Sequence, residues 1–350
     1  MIKVAIDSGP LTGGHAIRGV GAYTVALIKH LRKIKGLKIE AVDFKKTALS
    51  NYDIVHYPYF HPFFITLPIF KKTTTFVTIH DLIPLIYPKQ YPPGIKGRLR
   101  YFIQKQLVKK VDVVIAVSET SKKDIVRYLN IPQEKIKVIY EGPKKIYKPI
   151  PKDSEKLKEV TNEYKLPQKF VLYVGDVNYN KNVLGLADAC KLAKTPLVIV
   201  GKQAASEDID KNHPENREFV KFLEKYAEDP EIMRLGFVPD EDLIAIYNLA
   251  TLYCQPSFYE GFGLPVLEAF ACGAPVLISK TQALVEVAGN AAAIANPKDP
   301  KDIADMISKL AKSPTTRAVL AKKGMERVKK YSWDKTAKET AQLYRKVLGK

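Results

Sequence analysis

Short, near-continuous apolar runs alternate with amphipathic stretches along almost the whole of this 350-residue chain, and that rhythm admits few folds. The first half offers strand candidates at residues 3–6, 39–44, 54–57, 75–79, 113–117 and 137–140, with helical patterns at 23–31, 95–108 and 120–129. Strands that are apolar on both faces and separated by helices make a parallel sheet covered on both sides. Residues 141–168 interrupt the rhythm with four prolines and many charges, a linker signal. Strands then recur at 170–174, 197–200, 232–235, 252–255, 275–278 and 291–294. The reading is α/β: two Rossmann-like, doubly wound parallel-sheet domains at residues 1–150 and 169–332, joined by a linker at 151–168. Domains of about 150 residues each agree with the length. The tail, residues 333–350, holds a helical pattern at 333–348 that is expected to cross back to the first domain. In such sheets ligands bind beyond the carboxyl ends of the strands, so the strand-to-helix loops carry the chemistry.

Composition narrows the classes. The longest apolar runs, such as 63–70, fall far short of the ~20 residues that a spanning helix needs. The first seven residues read as a buried strand, without the length or cleavage site of a secretory leader. Cys190, Cys254 and Cys272 are too few and scattered for a zinc site or a disulfide framework, so a reduced, cytoplasmic setting is expected. The charge is the unusual term, with 56 Lys and Arg against 37 Asp and Glu, a formal +19. Residues 1–150 carry 26 against 10, whereas the remainder carries 30 against 27. The basic half is therefore expected to meet something anionic.

Four loops stand out. The first, Ser8-Gly-Pro-Leu-Thr-Gly-Gly-His-Ala-Ile-Arg18-Gly19-Val20-Gly21, follows a strand and opens a helix, so its glycines and helix-end amides can approach an anion. It is not the dinucleotide fingerprint, and a surface turn competes with this reading. In the second, His80-Asp81-Leu-Ile-Pro84 ends an apolar strand, placing a proton-transfer or hydrogen-bonding pair there, with a structural histidine as the alternative. The third, Gly175-Asp-Val-Asn-Tyr-Asn180-Lys181, puts a cation near a helix start, where a phosphate or only water can face it. The fourth is the most informative: Glu260-Gly261-Phe262-Gly263-Leu264-Pro265-Val-Leu-Glu268. Its two glycines make a tight turn, Pro265 suits a first helical turn, and both carboxylates can face one crevice. Such a set suits a ligand bearing hydroxyls and phosphates; a surface glutamate pair is the plainer alternative.

The glutamates with seven residues between them, set in Glu260-Gly-Phe-Gly-Leu-Pro-Val-Leu-Glu268-Ala, resemble the signature of retaining glycosyltransferases of the family-4 type, the glycosyl transferases group 1. Arg18-Gly-Val-Gly21, His80-Asp-Leu-Ile-Pro84, Ala116-Val-Ser-Glu119, Leu235-Gly-Phe237-Val238, Glu286-Val-Ala-Gly289 and Tyr331-Ser-Trp333 extend the likeness over nearly the whole chain. The resemblance implies the GT-B fold, with two domains facing across a cleft, and a nucleotide-diphosphate sugar as donor. It implies that Glu268 binds the ribose hydroxyls and Glu260 the donor sugar. Lys181 and the amides of Phe262, Gly263 and Leu264 would hold the diphosphate with Gly175 admitting close approach, while Gly19, Val20 and Gly21 reach it from the first domain. Phe237 and Val238 would meet the base, and His80 would stand beside the anomeric carbon, with Arg18 and Asp81 on the acceptor side. Many relatives carry an arginine as a second phosphate cation where this chain has Asp176 and Asn180. That role then falls to Arg18 or Lys202, or the donor pocket differs in detail.

The implied reaction moves a sugar, with mannose from GDP-mannose the leading donor, to a glycan or lipid-linked acceptor with the α configuration retained. No metal is required. Asp208-Ile-Asp210 matches a metal-site pattern but lies in a polar stretch with no strand before it, and Asp240 and Asp242 read as helix-start residues. An epimerase of the same fold and a basic nucleic-acid-binding protein are the competing readings, although the lysines are dispersed and no nucleic-acid-binding module is present. In residues 95–110, Ile95, Leu99, Phe102 and Ile103 share a helical face ringed by Lys96, Arg98, Arg100, Lys105, Lys109 and Lys110. Such a helix either packs with its polar face in water or lies on an anionic bilayer. Peripheral attachment to the inner face of the membrane is thus an expectation, and nucleic acid is not.

Overall fold

The computed structural model describes residues 1–12, 19–71, 73–206 and 209–350. The chain forms two compact units, one of residues 1–142 with 331–350 and the other of residues 143–330.

The first unit holds β1 (Ile2–Asp7), α1 (Gly19–Leu31), β2 (Leu37–Val42), β3 (Ile54–Tyr57), β4 (Thr74–Ile79), α2 (Ile83–Ile86), α3 (Gly94–Lys109), β5 (Val113–Ala116), α4 (Glu119–Asp124) and β6 (Ile136–Val138). Its sheet runs β2-β1-β3-β4-β5-β6 with every pair parallel, so the strand order reverses between β1 and β3. Alternate strand residues feed two cores. Val4, Ile6, Ile54 and Phe76 pack with Tyr23 and Leu27 of α1, while Ala5, Val55, Val77 and Val114 pack with Leu107, Val108 and Ile125. The segment expected as one helix at 120–129 divides into α4 and a π-helical turn, Ile125–Leu129, closed by left-handed Asn130 (φ 55°).

The C-terminal helix, Trp333–Val347, completes the first core. Ser332 caps it by accepting from the Lys335 amide, and Trp333, Ala337, Ala341 and Tyr344 form its buried stripe. Its entry lies against Gly142, where a Cβ would stand 2.5 Å from the Ser332 Cα, so no other residue fits there. Tyr344 Oη sits 2.6 Å from His56 Nδ1, and His56 Nε2 is 2.8 Å from Thr78 Oγ1. Burial holds the His56 pKa down to about 3, so this histidine is a neutral structural link.

The second unit holds α5 (Glu155–Glu163), β7 (Val171–Val174), α6 (Val183–Leu192), β8 (Leu197–Val200), α7 (Arg217–Tyr226), β9 (Ile232–Gly236), α8 (Asp240–Leu249), β10 (Leu252–Gln255), α9 (Leu264–Ala271), β11 (Val276–Ser279), α10 (Gln282–Ala288), β12 (Ala293–Ala295), α11 (Pro300–Lys312) and α12 (Pro314–Val328). The sheet order is β12-β11-β10-β7-β8-β9, again all parallel, with its reversal between β7 and β10. Residues 151–168, read from sequence as a linker, include a helix. They contain α5, which buries Leu157 and Val160 and is tied to α8 through Lys156 Nζ on Asp242 Oδ1 at 2.6 Å. Tyr164 Oη donates to the other Asp242 oxygen at 2.9 Å. With two buried apolar residues in an otherwise charged nine-residue helix, its low overall hydrophobicity does not outweigh the surrounding prolines.

Candidate functional site

At the reversal of the second sheet the loops after β7 and β10 diverge, which opens the crevice where ligands of such sheets bind. Gly175 ends β7 with φ 144°, and a Cβ on Gly201 would stand 2.2 Å from the Gly175 carbonyl oxygen. The backbones of β7 and β8 thus approach as only glycine permits. Asn180 and Asn182 then pin this loop to the next. Asn180 Nδ2 donates to the Tyr259 carbonyl at 3.1 Å, and its own carbonyl accepts from the Phe258 amide at 2.7 Å. Asn182, left-handed at φ 55°, donates to the carbonyls of Pro256 and Pro297 at 3.1 and 2.8 Å.

This pinning brings Lys181 onto Glu260. Nζ lies 2.9 Å from Oε1 and 2.7 Å from Oε2, a bidentate pair, although 79 residues separate the two in sequence. The carboxylate is buried and also accepts from Ser257 Oγ at 2.7 Å and Gln255 Nε2 at 2.8 Å. Tyr253 Oη donates to Gln255 Oε1 at 2.8 Å, which fixes the amide so that its NH2 faces Glu260. Burying a carboxylate is costly without such donors, so four hydrogen bonds to one group mark a position held for its charge.

Gly263 follows at φ 111°, where a Cβ would stand 2.6 Å from Leu284 Cδ2, and caps α9 in a left-handed conformation. Leu264 and Pro265 begin the helix, beside the buried Gly261 and Phe262. Glu268 lies one turn into α9, half-buried, with Tyr247 Oη donating to Oε2 at 3.2 Å. Burial raises its carboxyl pKa to about 7 against the pull of Tyr247 and Lys144. A folded-state pKa above the usual 4.5 means that the ionised side chain costs stability, a cost that grows as pH rises from about 4.5 to about 7. Ligand-free Glu268→Gln will therefore melt above the parent at pH 8 and close to it at pH 5; equal offsets at both pH values would count against this burial.

Phe237 and Val238 follow β9, with Val238 buried and Phe237 73% exposed. A large aromatic ring held in water at the carboxyl edge of a sheet is free to stack on a planar group. Lys202 opens the turn after β8, directly behind the Gly201–Gly175 approach, and is exposed. Asp210 occupies a turn, accepting from the Asn212 amide at 2.9 Å, while Asp208 lies outside the described residues. Asp240 and Asp242 stand in the first turn of α8. Among the described residues no three His, Cys, Asp or Glu side chains gather as a metal set.

In the first unit Gly19, Val20 and Gly21 open α1, with Gly19 exposed and, among the described residues outside its own turn of helix, no atom within 4 Å of where its Cβ would stand. Arg18 lies outside the described residues. His80 follows β4 with Nδ1 3.2 Å from Glu141 Oε1 and Nε2 3.0 Å from the Pro58 carbonyl oxygen. Both partners are acceptors, so a ring protonated on both nitrogens satisfies both. Burial opposes that charge, but Glu141 and the Pro58 carbonyl outweigh it and raise the His80 pKa above 6.5. Tyr23 packs edge-on to the ring at 4.6 Å, and Ser121 Oγ donates to the His80 carbonyl at 2.7 Å, so ring and backbone are both held. Asp81 Oδ1 accepts from the Ile83 amide at 3.0 Å, a local cap at the start of α2.

The sequence places Glu141 in a linker, reads Asn180 as the place of an absent cation, and gives no role to Asn182, Gln255, Ser257 and Tyr247. No spacing reveals Glu141, because its partner stands 61 residues away. The asparagines did carry a signal, since Asn tolerates the left-handed conformation that a strand-to-helix turn needs.

The chain matches the family described as Glycosyl transferases group 1 over residues 153–327 and that described as Glycosyltransferase Family 4 over residues 16–143. It is 30% identical to O-antigen chain mannosyltransferase B of Escherichia coli over 312 residues, covering 86% of this chain and 77% of that protein. It is also 30% identical to the serotype-specific mannosyltransferase WbdA of Escherichia coli over 271 residues, which cover 75% of this chain but 32% of WbdA. The sucrose-phosphate synthase of Thermosynechococcus elongatus superimposes with a TM-score of 0.76, at 19% identity and full coverage of both chains, a likeness of fold. The chain belongs to the group 1 glycosyltransferases, enzymes that use nucleotide-sugar donors, and its two six-stranded parallel sheets are those of the GT-B fold.

Proposed function

We propose that the protein is a retaining mannosyltransferase that moves mannose from GDP-mannose to a glycan or lipid-linked acceptor at the cytoplasmic face of a membrane. The observation that carries this reading is the Lys181–Glu260 pair at the strand reversal of the second sheet, with Gly263 and Glu268 following on one loop and helix. In it, Lys181 and the amides of Phe262, Gly263 and Leu264 take the diphosphate, Gly175 lets it approach the backbone, and Lys202 supplies the second cation. Glu268 takes the ribose hydroxyls, Phe237 and Val238 the base, and Glu260 the sugar. Charge on the departing diphosphate is then met by preoriented donors, the largest single contribution in such sites. This chemistry asks for no metal. His80 is assigned to the transfer step. The mannose assignment draws on the two mannosyltransferase relatives, and the glycan acceptor on the O-antigen chain named for one of them.

A melting screen against nucleoside diphosphates and their sugars tests the donor. A ligand at 100 times its Kd stabilises by about 2.7 kcal/mol. GDP and GDP-mannose are expected to raise the midpoint and UDP-sugars to leave it in place. A preference for UDP would move the donor assignment, and a flat screen would remove the transferase site. Proton NMR of the product reads the anomeric configuration, and a product that forms without acceptor would indicate epimerisation.

A further inference from the structure

The helix α3 carries apolar side chains toward water as well as toward the core. Its core-facing side is Gly97, Tyr101, Gln104, Leu107 and Val108, of which Gln104 is fully buried, whereas a second apolar stripe faces water. Ile95 is 89% exposed, Leu99 and Phe102 65% each, and Ile103 38%. At about 100° per residue these four positions span roughly 100° of arc opposite the buried side. Lys96 and Arg100 flank the stripe on one side and Arg98, Lys105 and Lys109 on the other.

A second apolar element lies beside it. The segment before β4 exposes Phe64, Ile65, Ile69 and Phe70. Gln104 Nε2 clamps the two elements together, donating to the His61 carbonyl at 3.1 Å and to Thr66 Oγ1 at 2.7 Å. A Cβ on Gly97 would stand 3.5 Å from the Phe63 Cβ, and the Arg100 guanidinium sits 5.8 Å over the Phe64 ring. These contacts make the segment at 63–66 a neighbour of α3, so eight large exposed apolar side chains lie on two neighbouring elements. Soluble proteins seldom expose so many large apolar side chains in one region without a partner for them.

Charge identifies the partner. Residues 82–111 hold seven Lys and Arg and no Asp or Glu. A protein partner of mixed charge gains nothing from that one-sided rim. A bilayer bearing anionic lipid matches both features, because the apolar side chains enter the boundary of the acyl region while the long basic chains reach the head groups. We propose that α3 and the segment at 63–70 form the surface by which the first unit docks on an anionic membrane. The inference deepens the reading of a lipid-linked or membrane-borne acceptor, and its test reads lipid rather than sugar, so either can fail alone.

Sedimentation of the full chain with vesicles of phosphatidylcholine containing 30% phosphatidylglycerol (roughly a moderately anionic bilayer) tests it. Binding at low salt is expected, weakened by raised salt and by pure phosphatidylcholine vesicles. The double variant Leu99→Glu/Phe102→Glu is expected to lose at least about tenfold in vesicle binding. Both side chains are exposed, so its melting midpoint and its response to nucleoside diphosphates are expected to match the parent's. A parent that stays in the supernatant with anionic vesicles, or a variant that binds as the parent does, overturns the proposal. So does a parent that dimerises at micromolar concentration (on the order of an ordinary protein–protein affinity) while the variant is monomeric, since the patch would then be a self-association surface.

Discussion

Lys181→Met will cut sugar transfer by about two to three orders of magnitude, the usual cost of removing one preoriented donor to developing negative charge. It will also lower stability, through a separate route. Glu260 is buried, and without Lys181 it keeps only Ser257 and Gln255 as donors, an uncompensated charge in the interior. Breaking a fully buried pair costs about 3–5 kcal/mol; Lys181 leaves a quarter of its side chain in water, so about 2 kcal/mol is expected here. The double variant Lys181→Met/Glu260→Gln separates the two effects. Its neutral amide still accepts from Ser257, so the melting midpoint returns most of the way to the parent's while transfer stays low. If the double variant recovers transfer together with stability, Lys181 serves only the fold.

How far that site could be read from sequence depends on the separation of its parts. The strands were legible because β3, β4 and β7 are largely buried on both faces and so read as short runs rich in apolar and β-branched residues. The Gly261–Gly263 turn was legible because position 263, at φ 111° and with a Cβ that would stand 2.6 Å from Leu284 Cδ2, calls for glycine. Asn180 shows where reading by family position stops. An arginine there was missed as an absent cation, yet the asparagine is a buried strut that holds the loop carrying Glu260. Its amide is short enough to bond the Tyr259 carbonyl from inside.

α3 gives the complementary case. The sequence supplied its apolar stripe and basic rim, but periodicity is silent on which side of a helix meets the core. The answer lies in tertiary contacts, chiefly Gly97 under Phe63 and Gln104 bonded to the chain at 61–66. α5 was lost for a different reason, since only two buried apolar residues stand in an otherwise charged stretch. The same limit hid Glu141, whose neighbours Gly142 and Pro143 look like punctuation. Gly142 is there because the C-terminal helix begins against it, and that packing sets the position of Glu141 one residue earlier.

Glu141 in turn governs the last expected result. His80→Ala will leave nucleoside diphosphate binding within about twofold, since the ring belongs to the first unit, and lower transfer by about two orders of magnitude, the range for a positioned proton donor. The pH profile distinguishes this from a structural role. In the parent Glu141 and the Pro58 carbonyl overcome burial and favour the protonated His80 ring to higher pH than for a free imidazole. A folded pKa raised above 6.5 is a stabilising linkage present below that value and lost as pH climbs through the raised one. If the doubly protonated ring is the active donor, transfer falls along the same alkaline limb. Glu141→Gln removes the opposing charge and leaves burial in control, so the limb moves to lower pH. An unchanged limb in Glu141→Gln, with transfer intact in His80→Ala, would show that the pair only braces the loop after β4.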